Sequence, residues 1–398
     1  MIGRTKRGVL LLAAGALVAA ALAATAGART GDSKTVNVGF IYPKTGLLSA
    51  FGSEEYNGFQ AGLAYTKGQC GGYTINPIYV DDATDPTTAV NAAKDLIGQG
   101  VKILAGTGSS GIALQLAPLA AQNNILYISG AAASDAITGI NRNTFRAGRQ
   151  TFQDVLDAAG YFPPKTTGKK IVVFAEDTAF GQGNYLAVNT VFGGKGHTVS
   201  KILVPFGAAD LTPYAQQLKN SGADLVFIAW AGANGTAMWQ ALQQQGVAKS
   251  IPIITGLANR GTYNAIGPLV QGVTLISHYV WQAPAKSNAA NQFLISWYKK
   301  NVQDYPDIFS PDGFVTAQMI CRALAKGGTD TSKQITALEG WKFLAPKGEQ
   351  YIRPADHAMI QPMFQVQLNL NSASGFYVPK VTKTVPPGLV QPPVTPFH

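Results

Sequence analysis

The sequence predicts an α/β protein of two doubly wound, parallel-sheet lobes in tandem. Strand-like apolar runs alternate with helix patterns along residues 36–280, and several runs open onto turns of Gly, Ser and Ala. The runs are apolar throughout instead of alternating, the mark of parallel strands covered on both faces. Behind an N-terminal leader, about 365 residues remain, enough for two cores.

The leader comes first. Arg4, Lys6 and Arg7 precede an unbroken apolar run over 9–24, and Ala26-Gly27-Ala28 offers a small-residue cleavage site, so 1–28 reads as an export signal. The alternative is a retained anchor. No later stretch approaches the roughly 20 apolar residues of a membrane span.

The first block then runs strand 36–42, helix 55–66 with Tyr56, Phe59 and Leu63 on one face, and strand 75–80 ending at Asp81-Asp82. Asp85-Pro86 starts a helix, Asp as cap and Pro at the first helical position. Strands at 102–105 and 125–128 complete the block. After Asn143-Thr-Phe-Arg146 a second block of the same texture has strands at 170–175, 200–204, 224–229, 251–255 and 272–280, with helices at 181–192, 211–221 and 235–245. The patterns at 288–305, 312–326, 332–339 and 360–368 hold too little sheet for a third domain, so they return to cover the lobes, and the chain crosses between lobes three times. The lobes become 35–145 with about 281–345, and 146–280 with about 346–380; the Pro-rich residues 381–398 read as a mobile tail.

Composition narrows the function. The formal charge is +10, or +7 without the three basic residues of the leader, and it is dispersed. Together with export, that argues against nucleic acid as a partner. Cys70 and Cys321 are the two cysteines; export favours a bond between them, while Cys321 also fits the apolar face of a helix as a buried thiol.

Doubly wound lobes bind at the carboxyl ends of their strands, which directs attention to 101–134. There one strand opens onto Gly106-Thr-Gly-Ser-Ser-Gly111 and the next onto Ser129-Gly-Ala-Ala-Ala-Ser134, two loops nearly without side chains. The first fits G-x-G-x-x-G, but a dinucleotide site needs that turn in the first βα unit and an acid at the next strand end. Here the turn follows the third strand, and the next strand ends in Ser129-Gly130. Ser109 and Ser110 at a helix start suit an anion such as a carboxylate, or act simply as caps. Asp81, Asp82 and Asp85 lack calcium-loop spacing and read as capping and turn residues. The four histidines are scattered, neither cysteine has a ligand-spaced neighbour, and Gly108-Ser-Ser-Gly111 is not a hydrolase elbow. Neither a metal nor a cofactor is expected. A hydrolase triad assembled across the fold is the enzyme alternative.

Tyr42-Pro-Lys-Thr-Gly46, Asp81-Asp82-Ala-Thr-Asp85-Pro86, the 101–134 stretch and Glu176-Asp177-Thr-Ala-Phe180-Gly181, in this order, resemble the leucine/isoleucine/valine-binding protein family, receptors of ATP-driven (ABC) importers. The resemblance extends from Val36 to about Val378, and Arg353-Pro-Ala-Asp356-His357 adds a segment found in one branch. It implies the type I periplasmic-binding-protein fold, two lobes on a three-strand hinge closing on a solute without changing it. Ser110, with Ser109 beside it, and the backbone of Ala131, Ala132 and Ala133 next to Ser134 then hold a ligand carboxylate. Phe51, from the first βα loop, and Phe180 cover its apolar part, and Trp230 lines the second lobe. In amino-acid receptors of this family a carboxylate after the strand matching 251–255 pairs with the ligand ammonium; here stands Gly256-Leu-Ala-Asn-Arg260. Either Glu176 or Asp177 substitutes, or the ligand has no amino group, because a buried unpaired ammonium costs several kcal/mol. The implied protein is a monomeric periplasmic receptor handing a branched-chain amino acid, or a related carboxylate or amide, to permease and ATPase subunits. A ligand-sensing subunit of a signalling system is the alternative from another class.

Overall fold

The structure, a computed structural model, describes residues 34–162 and 166–398. The leader read at 1–28 lies outside the described residues. No helix among the described residues is long and apolar enough to cross a membrane.

The first sheet holds β1 (Lys34–Tyr42), β2 (Tyr73–Asp81), β3 (Ile103–Gly106), β4 (Leu126–Ser129) and β5 (Thr144–Arg146) in the order β2-β1-β3-β4-β5. Pairings β1–β3, β3–β4 and β4–β5 are parallel. β3 and β4 are buried at every residue, as strands covered on both faces must be. On one face lie α2 (Pro86–Gly98) and α3 (Ser110–Gln122), packing Leu96, Ile112 and Leu116 onto Ile41 and Leu104. α2 starts as its sequence predicts, with Asp85 accepting a 2.7 Å hydrogen bond from Thr88 N–H and Pro86 as its first residue. The other face is covered by α1 (Ser49–Thr66), α10 (Ala289–Asn301), α11 (Ser310–Gly327) and α12 (Thr331–Leu338).

α1 begins six residues earlier than the periodicity indicates, so Phe51 lies in its first turn and not in a loop. Gly52 permits this start, since a Cβ there would meet the Pro43 carbonyl oxygen at 1.9 Å. The same device brings α1 against α11, where a Cβ on Gly58 would meet Ser310 O at 1.9 Å. A Cys70–Cys321 disulfide joins α11 to the turn after α1.

α4 (Thr151–Ala159) opens the second lobe. Its sheet adds β6 (Lys170–Glu176), β7 (Thr198–Val204), β8 (Leu225–Ala229), β9 (Ile253–Gly256) and β10 (Thr274–Ser277), with α5 (Ala179–Val188), α6 (Thr212–Lys219), α7 (Gly235–Gln244), the short α8 (Val247–Ser250) and α9 (Tyr263–Ile266) between them. The order is β15-β14-β10-β9-β8-β6-β7, where β14 (Met363–Asn371) and β15 (Phe376–Val385) run antiparallel. This lobe is therefore parallel at its centre and mixed at one edge.

The chain crosses between lobes after β5, after β10 and before β14. Between the last two lies a small sheet of β11 (Lys342–Ala345), β12 (Gly348–Ile352) and β13 (Met359–Ile360). Ile352 and Met359 pack in one core with Val38 and Phe40, so the third crossing falls at Gln361-Pro362, later than the 346 read from sequence. The sequence pattern did not mark this hairpin because its strands are short and half polar. Residues 386–398 also depart from expectation. Val390 is buried against Met363, Val385 and Leu156, Arg353 donates to the carbonyls of Pro392 and Pro393, and Thr395 N–H donates to Asp356. The tail thus leaves the second lobe and is pinned back on the first.

Candidate functional site

Between the lobes lies a cavity of about 490 Å³, lined by residues that follow β3, β4, β6, β7, β8, β9 and β10, together with the start of α1 and the segment before α11. The strand ends meet there because both sheets turn their carboxyl edges toward the cleft.

The first-lobe wall is built of backbone. Gly106 adopts φ +100 where a Cβ would strike Ile41 O at 2.2 Å, and Thr107, also at positive φ, donates its hydroxyl to Asp82 at 2.8 Å. Ser109 then caps α3, its Oγ accepting from Ile112 N–H at 3.5 Å. The first N–H groups of α3 have no partner within the helix, and the helix dipole makes that end favourable for negative charge. Ser110 Oγ accepts from Ser134 N–H at 3.1 Å, tying the two loops together. Behind them Arg146, fully buried, donates to the carbonyls of Ala132 (2.8 Å), Ser134 (3.2 Å), Gly148 (3.3 Å) and Arg149 (2.8 Å), and to Thr138 Oγ1 (2.7 Å). Arg149 donates to Ala131 O at 3.2 Å.

The second-lobe wall is built of rings. Phe180, Phe206, Trp230 and Trp239 face the cavity. Trp230 lies parallel to Phe174 with centroids 5.5 Å apart, and its indole N–H is spent on Asn234 Oδ1 at 2.9 Å, so it offers a ring face. Phe51 and Phe309 of the first lobe meet edge to face at 4.7 Å and complete the apolar lining.

Four titratable side chains line the cavity: Arg149, Asp154, Glu176 and His278. Glu176 accepts from Ala231 N–H at 2.8 Å and Gly232 N–H at 3.0 Å; burial pushes its carboxyl up against those bonds. Asp154 pairs with Arg149 at 3.2 Å, and burial raises its carboxyl although that guanidinium opposes the rise. Burial drives His278 well below its ordinary range, with Arg149 and Lys347 adding to the effect, so the imidazole is neutral at pH 7. Among the described residues no three His, Cys, Asp or Glu side chains are grouped to hold a metal ion.

The structure brings Phe51, Ser109, Ser110, Ala131, Ala133, Glu176, Phe180 and Trp230 to this cavity. Three residues expected there stand elsewhere. Ala132 and Ser134 are buried behind the wall, and Asp177 is exposed, accepting from Gln182 at 2.7 Å. Glu176 and Asp177 are adjacent at a strand end, so their side chains diverge and only one enters the cleft. Sequence reasoning missed Arg149, Asp154, His278 and Phe309, which belong to the crossings and to the segments they bring back.

Residues 35–375 match the family described as periplasmic binding protein. The Leu/Ile/Val-binding protein homolog 3 of Brucella melitensis is 25% identical over 324 residues, which cover 80% of this chain and 87% of that protein. Among solved structures, an ABC-type branched-chain amino acid transporter protein of Rhodopseudomonas palustris is 28% identical with a TM-score of 0.73, covering 91% of this chain and 100% of that one. A solute binding protein of an ABC transporter from the same species, solved in complex with 3,4-dihydroxybenzoic acid, is 25% identical with a TM-score of 0.77, covering 88% of this chain and 97% of that one.

Proposed function

The chain belongs to the periplasmic binding protein family, and from that premise we propose that it is the extracytoplasmic receptor of an ABC importer. It acts as a monomer in the periplasm, captures a small carboxylate or amide with an apolar body between its lobes, and hands it unaltered to permease and ATPase subunits. The observation that carries this reading is the pairing of unlike walls around one cavity, backbone and hydroxyl groups at the start of α3 facing rings on the second lobe. Ser109, Ser110 and the backbone at Ala131 and Ala133 hold the acidic head. Phe51, Phe180 and Trp230 take the apolar body, each buried ring contributing about 2–3 kcal/mol.

The charge inventory favours a ligand without an amino group. Glu176 is engaged by two backbone N–H groups, Asp154 by Arg149, and Asp177 is outside the cleft. No lining carboxylate is left unengaged for an ammonium, and the solved relative bound to 3,4-dihydroxybenzoic acid lends support. A thermal-shift panel of leucine, valine, benzoate, 3,4-dihydroxybenzoate and benzamide tests the reading, with small-angle scattering on each binder. Stabilisation and compaction by an aromatic acid are expected. Stabilisation by leucine alone overturns the amine-free ligand, and chemical conversion of a bound compound overturns the receptor.

A further inference from the structure

At the edge of the cleft, beside the second crossing, stands a contact between the lobes that the receptor reading does not require. Arg260, on the second lobe just after β9, reaches the segment joining α10 to α11 on the first lobe. Its backbone N–H donates to Asp307 Oδ2 at 2.5 Å, its guanidinium pairs with Asp304, and the same guanidinium lies over the Tyr305 ring at 5.7 Å. Among the described residues it is the one ion pair between the lobes that does not involve a histidine; Arg149–Asp154 lies within the first crossing.

The receiving notch is rigid and acidic. Tyr305 stacks on Trp281 at 4.1 Å, which ties it to the second crossing. Asp307 N–H donates to Ser310 Oγ, which also accepts from Tyr298 OH at 2.7 Å. Glu54 accepts from Phe309 N–H at 3.1 Å. Phe309 and Ile308 line the cavity from this segment, as Asn259 does from the residue before Arg260. The contact therefore sits on the rim and connects to the lining on both sides. Glu54, Asp304 and Asp307 gather three carboxyls on the first lobe; Lys299 of that lobe lies over the Tyr305 ring at 4.9 Å, and Arg260 adds a cation from the other lobe.

We propose that Arg260 is the closing clasp of the cleft, docking on the Asp304–Asp307 notch to hold the lobes together and to set how long a captured solute stays. The inference rests on the receptor reading for its purpose, and its mechanics are testable without any ligand. The Arg260–Asp304 pair is partly exposed and screened, so closure weakens as salt rises. The clasp slows release without changing capture, since complementary groups that form last act mainly on dissociation.

Small-angle scattering of the mature, ligand-free chain at low salt, where the clasp holds part of the population closed and a ligand closes the rest, decides the matter. Arg260→Ala shifts the radius of gyration upward, molar sodium chloride produces the same shift in the unmodified protein, and Arg260→Lys restores part of the compaction. Asp304→Asn gives a smaller shift of the same sign and adds nothing in the Arg260→Ala background, as partners in one contact must behave. Circular dichroism melts confirm that each variant is folded. An unchanged radius for folded Arg260→Ala, or fully additive shifts, overturns the clasp. With 3,4-dihydroxybenzoate as probe, Arg260→Ala speeds dissociation about two- to fivefold, the weight of a partly exposed ion pair; an unchanged rate with that probe also overturns it. Failure of the whole panel to bind overturns the receptor reading and leaves the scattering result standing.

Discussion

The two walls of the cleft are made of different material and are held in place by different forces. The first-lobe wall offers mainly backbone, hydroxyls and methyl groups, with the Phe51 and Phe309 rings at its edge, and is fixed from behind by Arg146 and by the Asp82–Thr107 bond. The second-lobe wall offers Phe180, Phe206, Trp230 and Trp239, fixed mainly by packing on the apolar cores of that lobe. Directional hydrogen bonds read the head of a ligand, and rings read its area with little regard to direction. A receptor built this way can change the body it accepts by altering the second wall without rebuilding the first.

If the first wall depends on Arg146, removing that side chain should break the comparison with the largest effect. Arg146→Met leaves the carbonyls of Ala132, Ser134, Gly148 and Arg149 without the donor they share in a site closed to water. The expected loss is about 3–5 kcal/mol of unfolding free energy, as for breaking a buried charged network. Urea denaturation measures it, and a loss below about 1 kcal/mol would mean that the loops hold themselves.

A pH response is expected of the second lobe that does not pass through the network behind the first wall. Asp157 on α4 is buried, and burial pushes it from its ordinary 3.8 up to about 7 although the Gln365 amide beside it opposes the rise. Because the folded state holds this proton more tightly, stability is greatest below pH 3.8 as far as this group is concerned, and is lost as pH rises through 7. Asp157→Asn removes that loss and should raise stability at pH 8 by about 2–4 kcal/mol relative to its effect at pH 4. Melting temperatures of the two proteins across this range give the difference, and parallel curves would contradict the burial argument.

What the sequence made legible was local, and what it hid was assembled by the crossings. The Asp85-Pro86 cap, the β3 turn and the Ser109 cap of α3 are set by neighbours within a few residues, and they appear where the pattern put them. Arg149, His278 and Phe309 meet only because the first two crossings and the segment before α11 come together on one side of the cleft, and no spacing encodes that. Asp177 misled because a strand end sends consecutive side chains to opposite sides. The tail misled because proline marks extended chain, while its immobilisation depends on Arg353 and Asp356, some 40 residues away.

The finest test separates the walls by what each variant forgets. Ser110→Ala removes the acceptor of the Ser134 N–H bond and one hydroxyl from the cavity, at a cost to the empty protein of about 1 kcal/mol. Phe180→Ala removes a half-buried ring from the opposite wall. If the first wall reads the head, Ser110→Ala should narrow the affinity gap between benzoate and benzamide. Phe180→Ala should weaken both by a similar factor, because a ring contact does not distinguish carboxylate from amide. Calorimetric titration of the two ligands into the two variants yields four constants. A gap that narrows with Phe180→Ala and survives Ser110→Ala would reverse the assignment of the walls, since the head would then be read from the second lobe.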